Sequence, residues 1–159
     1  MNKSIAIQGA EGSNHHKVAR DFYGASIQLI ECMSFDGLVA SLLEGTAVLG
    51  VMAIENTIAG SIIPNYALID KNNLHIIGEE YLNIHHHLMA LQGQKIMDIK
   101  EVWSHPMALL QCKEFFKKYP HIKLVEDVDT AEVAKRISKE NLSGIAAIAP
   151  KIAAEIFKL

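Results

Sequence analysis

What this chain lacks narrows its chemistry before any motif is considered. Cysteine is scarce: Cys32 and Cys112 are the only two, far apart and without CxxC spacing, which excludes a disulfide framework and a thiolate zinc site. Long apolar runs are missing, since no stretch approaches the roughly 18 residues needed to span a bilayer. The opening MNKSIAIQGAEG turns quickly from apolar to glycine and charge, so neither a signal peptide nor a membrane anchor is expected. No block of like charges occurs, and the formal net charge of -3 comes from mixed signs along the chain, which removes nucleic acid and anionic membrane from the expected partners. Low-complexity segments and repeats of solenoid length are absent as well. The expectation is a cytoplasmic, reduced protein whose partner is a small molecule.

What is present is apolar residue in quantity. Half of the 159 positions are hydrophobic, enough to bury one substantial core or two small ones. Short apolar runs at 4–8, 27–30, 47–54, 75–79, 87–91, 101–103, 123–125 and 144–149 read as strands. Between them, windows at 14–23, 35–44, 62–71, 107–119, 130–140 and 150–157 read as helices. This alternation marks βα units around a largely parallel sheet, an α/β fold. After Pro106, which suits a first helical turn, Leu109, Leu110, Cys112, Phe115, Phe116 and Tyr119 recur at helical spacing and are expected to face inward. From Thr130, the residues Ala131, Val133, Ala134 and Ile137 form the same kind of face. The segment 78–91 has strand character throughout and is expected to carry the chain from one lobe to the next, with a hinge at 77–84. That makes 1–76 lobe one and 77–159 lobe two.

Three strand-to-helix corners could carry chemistry, because ligands of open α/β sheets bind at the carboxyl ends of strands. The first, GAEGSN after strand 4–8, offers Gly12 for close backbone approach and Ser13 or Asn14 as helix caps; taken alone it is a weak signal, better explained by an ordinary turn. The second, IENTIAGS, sets Glu55, Asn56 and Thr57 at the mouth of an apolar strand, with Gly60 for an unusual backbone angle and Ser61 placed to cap the next helix. The third, Ser104-His105-Pro106, makes Ser104 the expected N-cap of a helix that also carries Gln111. It lacks the nucleophile elbow GxSxG, and adjacent residues on a turn diverge, so a serine-hydrolase mechanism is not expected. His85, His86 and His87 invite a metal, but on an extended strand only two could meet one ion and no other ligand completes a set. Solvated histidines are the expectation there, as for His15 and His16.

Taken together these corners resemble a known family. IENTIAGSI is similar to the prephenate dehydratase motif IENSxxGS, SHPMALLQC to SHPxALxQC, DTAEVAK to STAEAAK, and IAAIAPKIAAEIFKL to AAIASxxAAxxYGL. The four occur in the same order and span nearly the whole chain. The resemblance implies two Rossmann-like βα lobes like those of type II periplasmic binding proteins, with substrate between them. It implies conversion of prephenate to phenylpyruvate, carbon dioxide and water in phenylalanine biosynthesis, without cofactor or metal. Carried over residue by residue, it places Asn56, Thr57, Gly60, Ser61, Gly12 and Ser13 against substrate from lobe one, and Ser104, Gln111 and Thr130 from lobe two. Glu55 would orient or support beside Asn56, and helix starts behind Ser13, Ser61, Ser104 and Asp129 would receive the substrate carboxylates.

Three departures bear on that transfer. The first loop reads GAEGSNH where the family commonly has GPEGTFS, which keeps GxEGS/T but removes the aromatic. Asp129 stands where the family has serine, an added negative charge beside a dianion unless it caps a helix. The family's later NxTRF motif, whose threonine serves as general acid, is not found before Leu159. That implies an incomplete first lobe with an apolar edge favouring self-association as a homo-oligomer, and little turnover by this chain alone. The rival reading is a non-catalytic two-lobed module that grips small anions. A dinucleotide-dependent dehydrogenase is excluded by the absence of GxGxxG with its downstream acid.

Overall fold

Parallel strands cannot be joined by a tight turn, so each must be followed by a crossover, and the chain supplies helices for the purpose. In the computed structural model, which describes residues 4–57 and 60–159, strand β1 (Ser4–Gln8) is followed by α1 (Asn14–Tyr23), β2 (Gln28–Cys32), α2 (Phe35–Leu43) and β3 (Leu49–Val51). The three strands are parallel in the order β2-β1-β3. Because β1 is central, its alternate side chains enter two cores. Ile5 and Ile7 pack with Ala19 of α1 on one face, and Ala6 packs with Leu38 and Val39 of α2 on the other. Such a strand must be apolar wherever it is buried, which is why Ile5, Ala6 and Ile7 form a continuous run between half-buried Ser4 and Gln8. Ser34 starts α2 by accepting the Gly37 amide at 3.1 Å.

Beyond β3 the chain makes a short antiparallel pair, β4 (Glu55–Asn56) with β5 (Gly60–Ser61), and then α3 (Ile63–Lys71). The described residues up to Ala10, with Asn14–Leu82, form one unit. Glu11–Ser13 count instead with the second unit, Asn83–Leu159.

The second unit contains β6 (His87–Ala90), a 3-10 turn at Ile96–Asp98, β7 (Glu101–Ser104), α4 (Pro106–Phe116), β8 (Lys123–Glu126), α5 (Thr130–Glu140), β9 (Ile145–Ala149) and α6 (Lys151–Phe157). Its sheet runs β6-β9-β7-β8, with β6 antiparallel to β9 and the remaining pairs parallel. The order β8-β7-β9 repeats the winding of β2-β1-β3. Strand β9 is buried on both faces: Ala146 and Ile148 meet Val102, Leu109 and Phe116, while Ala147 and Ala149 meet Val133, Ala134 and Ile137. Gly12, with φ +91°, is buried here too. A Cβ at this position would lie 3.1 Å from Ala153 Cα and 3.2 Å from the Phe157 ring, so a glycine is needed both for the backbone angle and for the approach. Among the described residues no helix is long and apolar enough to cross a membrane.

Several expectations are corrected. The run 47–54 is a strand only at Leu49–Val51, and 75–79 is not a strand. The segment 78–91 is extended sheet only at His87–Ala90, because the residues before it find no ladder partner among the described strands. In α4 the buried residues are Ala108, Leu109 and Phe116, whereas Leu110 and Phe115 are exposed. The inward stripe is narrower than the apolar letters suggest, and Phe115 stacks instead on Phe116 and Tyr119. The inward face read for α5 is buried at all four positions.

Candidate functional site

Strands β1 and β3 of unit one are parallel neighbours, and a polar corner follows the carboxyl end of each, although Glu11–Ser13 of the first corner count with unit two. The chain leaves β1 toward β2 on one side while β3 lies on the other, the topological switch at which such sheets open a crevice. At the end of β3 both backbone groups of Ala53 are taken by side chains. The Ala53 amide donates to His15 Nε2 at 3.3 Å, and the Asn65 amide nitrogen donates to the Ala53 carbonyl at 2.7 Å. Asn65 is 2% exposed, so its hydrogen bond is one that burial makes costly to lose.

The next residues form the corner itself. Glu55 pairs in register with Ser61, and half-buried Asn56 with Gly60. Gly60 has φ +78°, a backbone angle that favours glycine, and Thr57 is exposed at the turn. Glu55 Oε1 accepts from Ser61 Oγ at 3.3 Å and from the Tyr66 hydroxyl at 3.1 Å. The Tyr66 phenol is pushed up from its ordinary value, first by lost solvation and then by its bond to Glu55 and that carboxylate's charge. Ser61 is not the cap expected of it. The cap of α3 is Ile62, without a side-chain bond, and Pro64 lies in the first turn; Ser61 is held in β5 and turns its hydroxyl to Glu55.

In unit two, Ser104 is fully buried and donates to the Ile148 carbonyl at 2.7 Å, joining β7 to β9 near their carboxyl ends. It is therefore not the N-cap of α4. That role falls to His105, whose Nδ1 accepts from the Met107 amide at 3.2 Å, a reading the sequence missed because histidine is an uncommon cap. Gln111 is exposed on α4 and its Oε1 meets His86 Nε2 at 2.6 Å. His86 is thus bound to a side chain rather than simply solvated, and strand β6 begins only after it, at His87. Asp129 is a true cap: one carboxylate oxygen accepts from both Ala131 and Glu132 amides at 2.9 Å. The charge that departs from the family pattern is turned into the start of α5, whose partial positive end offsets it. Thr130 follows, half-buried, as the first residue of the helix, and Ser13 is buried beside Gly12. Both cysteines are free, and burial pushes the Cys112 thiol up. Among the described residues no group of three or more His, Cys, Asp or Glu side chains could hold a metal ion.

Set beside known proteins, residues 5–159 match the family model of prephenate dehydratase. The chain belongs to the prephenate dehydratase family. It is 37% identical over 155 residues to arogenate dehydratase/prephenate dehydratase 2, chloroplastic, of Arabidopsis thaliana, covering 98% of this chain and 40% of that protein. Among solved structures it is similar to GqqA, described as a novel type of quorum quenching acylase, at TM-score 0.85 and 26% identity, covering 98% of this chain and 56% of that one. The prephenate dehydratase of Arthrobacter aurescens, solved with L-Phe, shares the fold at TM-score 0.72 and 21% identity, over 96% of this chain and 52% of that one. The chain spans about two fifths of the length of the curated relatives it matches.

Proposed function

We propose that this chain binds prephenate, or its amino counterpart arogenate, and serves its decarboxylating dehydration in aromatic amino-acid biosynthesis. The observation that carries this reading is the prephenate dehydratase match across 5–159, and the polar strand ends support it. In the reaction the bond from ring to carboxylate breaks, carbon dioxide leaves, and its electron pair enters the ring as the carbon–oxygen bond opposite breaks. The departing hydroxide takes a proton and leaves as water. Aromaticity drives the step, so what the protein must add is orientation and a proton for the leaving oxygen. Asn56, Thr57, Gly60 and Ser61 are the proposed substrate contacts of unit one, together with Gly12 and Ser13 of the loop after β1. Thr130 and Gln111 are those of unit two, and Ser104 is part of the β7–β9 junction. Glu55 supports Asn56 rather than touching the reacting bond.

Two other readings make different demands. An acylase would need a reachable nucleophile, a role closed to Ser104, which is fully buried with its hydroxyl engaged by Ile148. A module for small anions would hold carboxylates whatever ring they carry. Calorimetry with prephenate, arogenate, phenylpyruvate and citrate, alongside chromatography of the mixture for the aromatic product, separates these. Saturable binding of prephenate or arogenate, at least tenfold tighter than citrate, is the expected result. Equal affinity for all four, or none for the first two, overturns the reading.

A further inference from the structure

We propose that Tyr66 is a positioning residue, holding Glu55 and thereby fixing the β4–β5 pair that presents Asn56. The proposal rests on the functional reading above and deepens it by assigning a residue that no motif of the corner contains.

Asn65 sets the reach of Tyr66. It is the one buried residue of α3, and its bond to the Ala53 carbonyl ties the first turn of the helix to the end of β3. That tie fixes where the next residue, Tyr66, can reach. Its hydroxyl meets Glu55, the second residue after Ala53, at 3.1 Å. The same carboxylate oxygen accepts from Ser61 across the β4–β5 pair. One oxygen therefore joins three elements: the β4 strand that carries it, the β5 strand through Ser61, and α3 through Tyr66. A pair of two-residue strands has almost no stability of its own, so its geometry depends on such ties. The backbone bond from the Ile62 amide to the Ile54 carbonyl, 2.8 Å, closes the base of the pair; Tyr66 and Ser61 fix its outer part. Charge-assisted bonds of this type are the stronger kind, and Glu55 serves as their acceptor instead of as the proton donor of the reaction.

The test compares the wild-type chain with Tyr66→Phe, Glu55→Ala and the double variant. Removing one hydroxyl from a half-buried ring leaves the packing in place. Without any ligand, amide exchange at Asn56, Gly60 and Ile62 is expected to speed by about fivefold in Tyr66→Phe, with Ile5 to Ile7 of β1 unchanged. Prephenate affinity by calorimetry is expected to fall about tenfold in Tyr66→Phe, and to fall no further when Tyr66→Phe is added to Glu55→Ala. Unchanged exchange at the corner, or an equal loss of affinity with and without Glu55, overturns the proposal. If the wild-type chain binds neither prephenate nor arogenate, the functional reading fails, and the exchange measurement alone decides whether Tyr66 orders the corner.

Discussion

The two units share one winding and use it differently. In unit two the helix α5 buries Ala131, Val133, Ala134 and Ile137 against the sheet. In unit one the helix α3 buries a single residue, the polar Asn65. A helix that buries four apolar side chains contributes stability, whereas a helix whose buried residue is an amide contributes direction. The polar corners follow the same division. Glu55 meets its partners at the exposed surface of unit one, while Ser104 of unit two is sealed into the β7–β9 junction. An α/β winding can thus be repeated in one chain with a polar corner tied together at the surface of one copy and a serine sealed into the sheet of the other.

The comparison breaks most visibly in the core. Ile137→Ala is expected to cost about 2–5 kcal/mol in urea denaturation, because the site is fully buried and its neighbours on β9 are alanines too small to fill the gap. Leu68→Ala in α3, where the side chain is half-buried, is expected to cost less than half as much. Equal costs would erase the distinction between the two helices. Ser104→Ala is expected next, at about 1–3 kcal/mol, since it leaves the buried Ile148 carbonyl without its donor. A loss of prephenate affinity with unchanged stability would instead move Ser104 from scaffold to binding surface. Asp129→Ala should cost about 0.5–2 kcal/mol through the lost cap, and Asp129→Ser should restore most of it.

The smallest effect concerns acid. The Trp103 indole donates to Glu101 at 2.7 Å and holds its carboxyl below the ordinary range; lost solvation works against this, and Lys123 across the β7–β8 pair adds to it. A group whose value is depressed on folding stabilises above its unfolded value and loses that contribution as pH falls through the folded one. Glu101→Gln should therefore flatten the loss of stability on the acid side of the carboxylate range, seen in thermal melts at a series of pH values. An unchanged acid limb would mean the indole bond does not form in solution.

Most of the architecture was legible because it is local. Short continuous apolar runs and helical windows gave the positions of β1, α1, α5 and β9 nearly to the residue, and the turn glycines marked the corners. What was not legible is tertiary. The apolar letters Ile76 and Ile77 suggested a strand, yet both are exposed, since a strand exists only where a neighbour takes its hydrogen bonds. Ser104 looked like a cap because serine usually caps, and nothing in the chain announces that the Ile148 carbonyl would claim it. The bonds from Tyr66 to Glu55, Asn65 to Ala53 and His86 to Gln111 join residues 11, 12 and 25 positions apart, where no spacing rule applies. The family motifs led to Asn56 and Gln111 but not to Tyr66 or Asn65, which lie just outside the quoted letters.

Whether the polar strand ends of this chain recognise a dicarboxylate ring compound is decided by titrating isotope-labelled protein with prephenate and following backbone amide resonances. Saturable shifts are expected at Asn56, Thr57, Gly60, Ser61 and Thr130, with the core amides of Ile5, Ile7 and Val133 unmoved. Shifts spread over exposed lysines, or none at these five positions at saturating prephenate, would contradict that recognition.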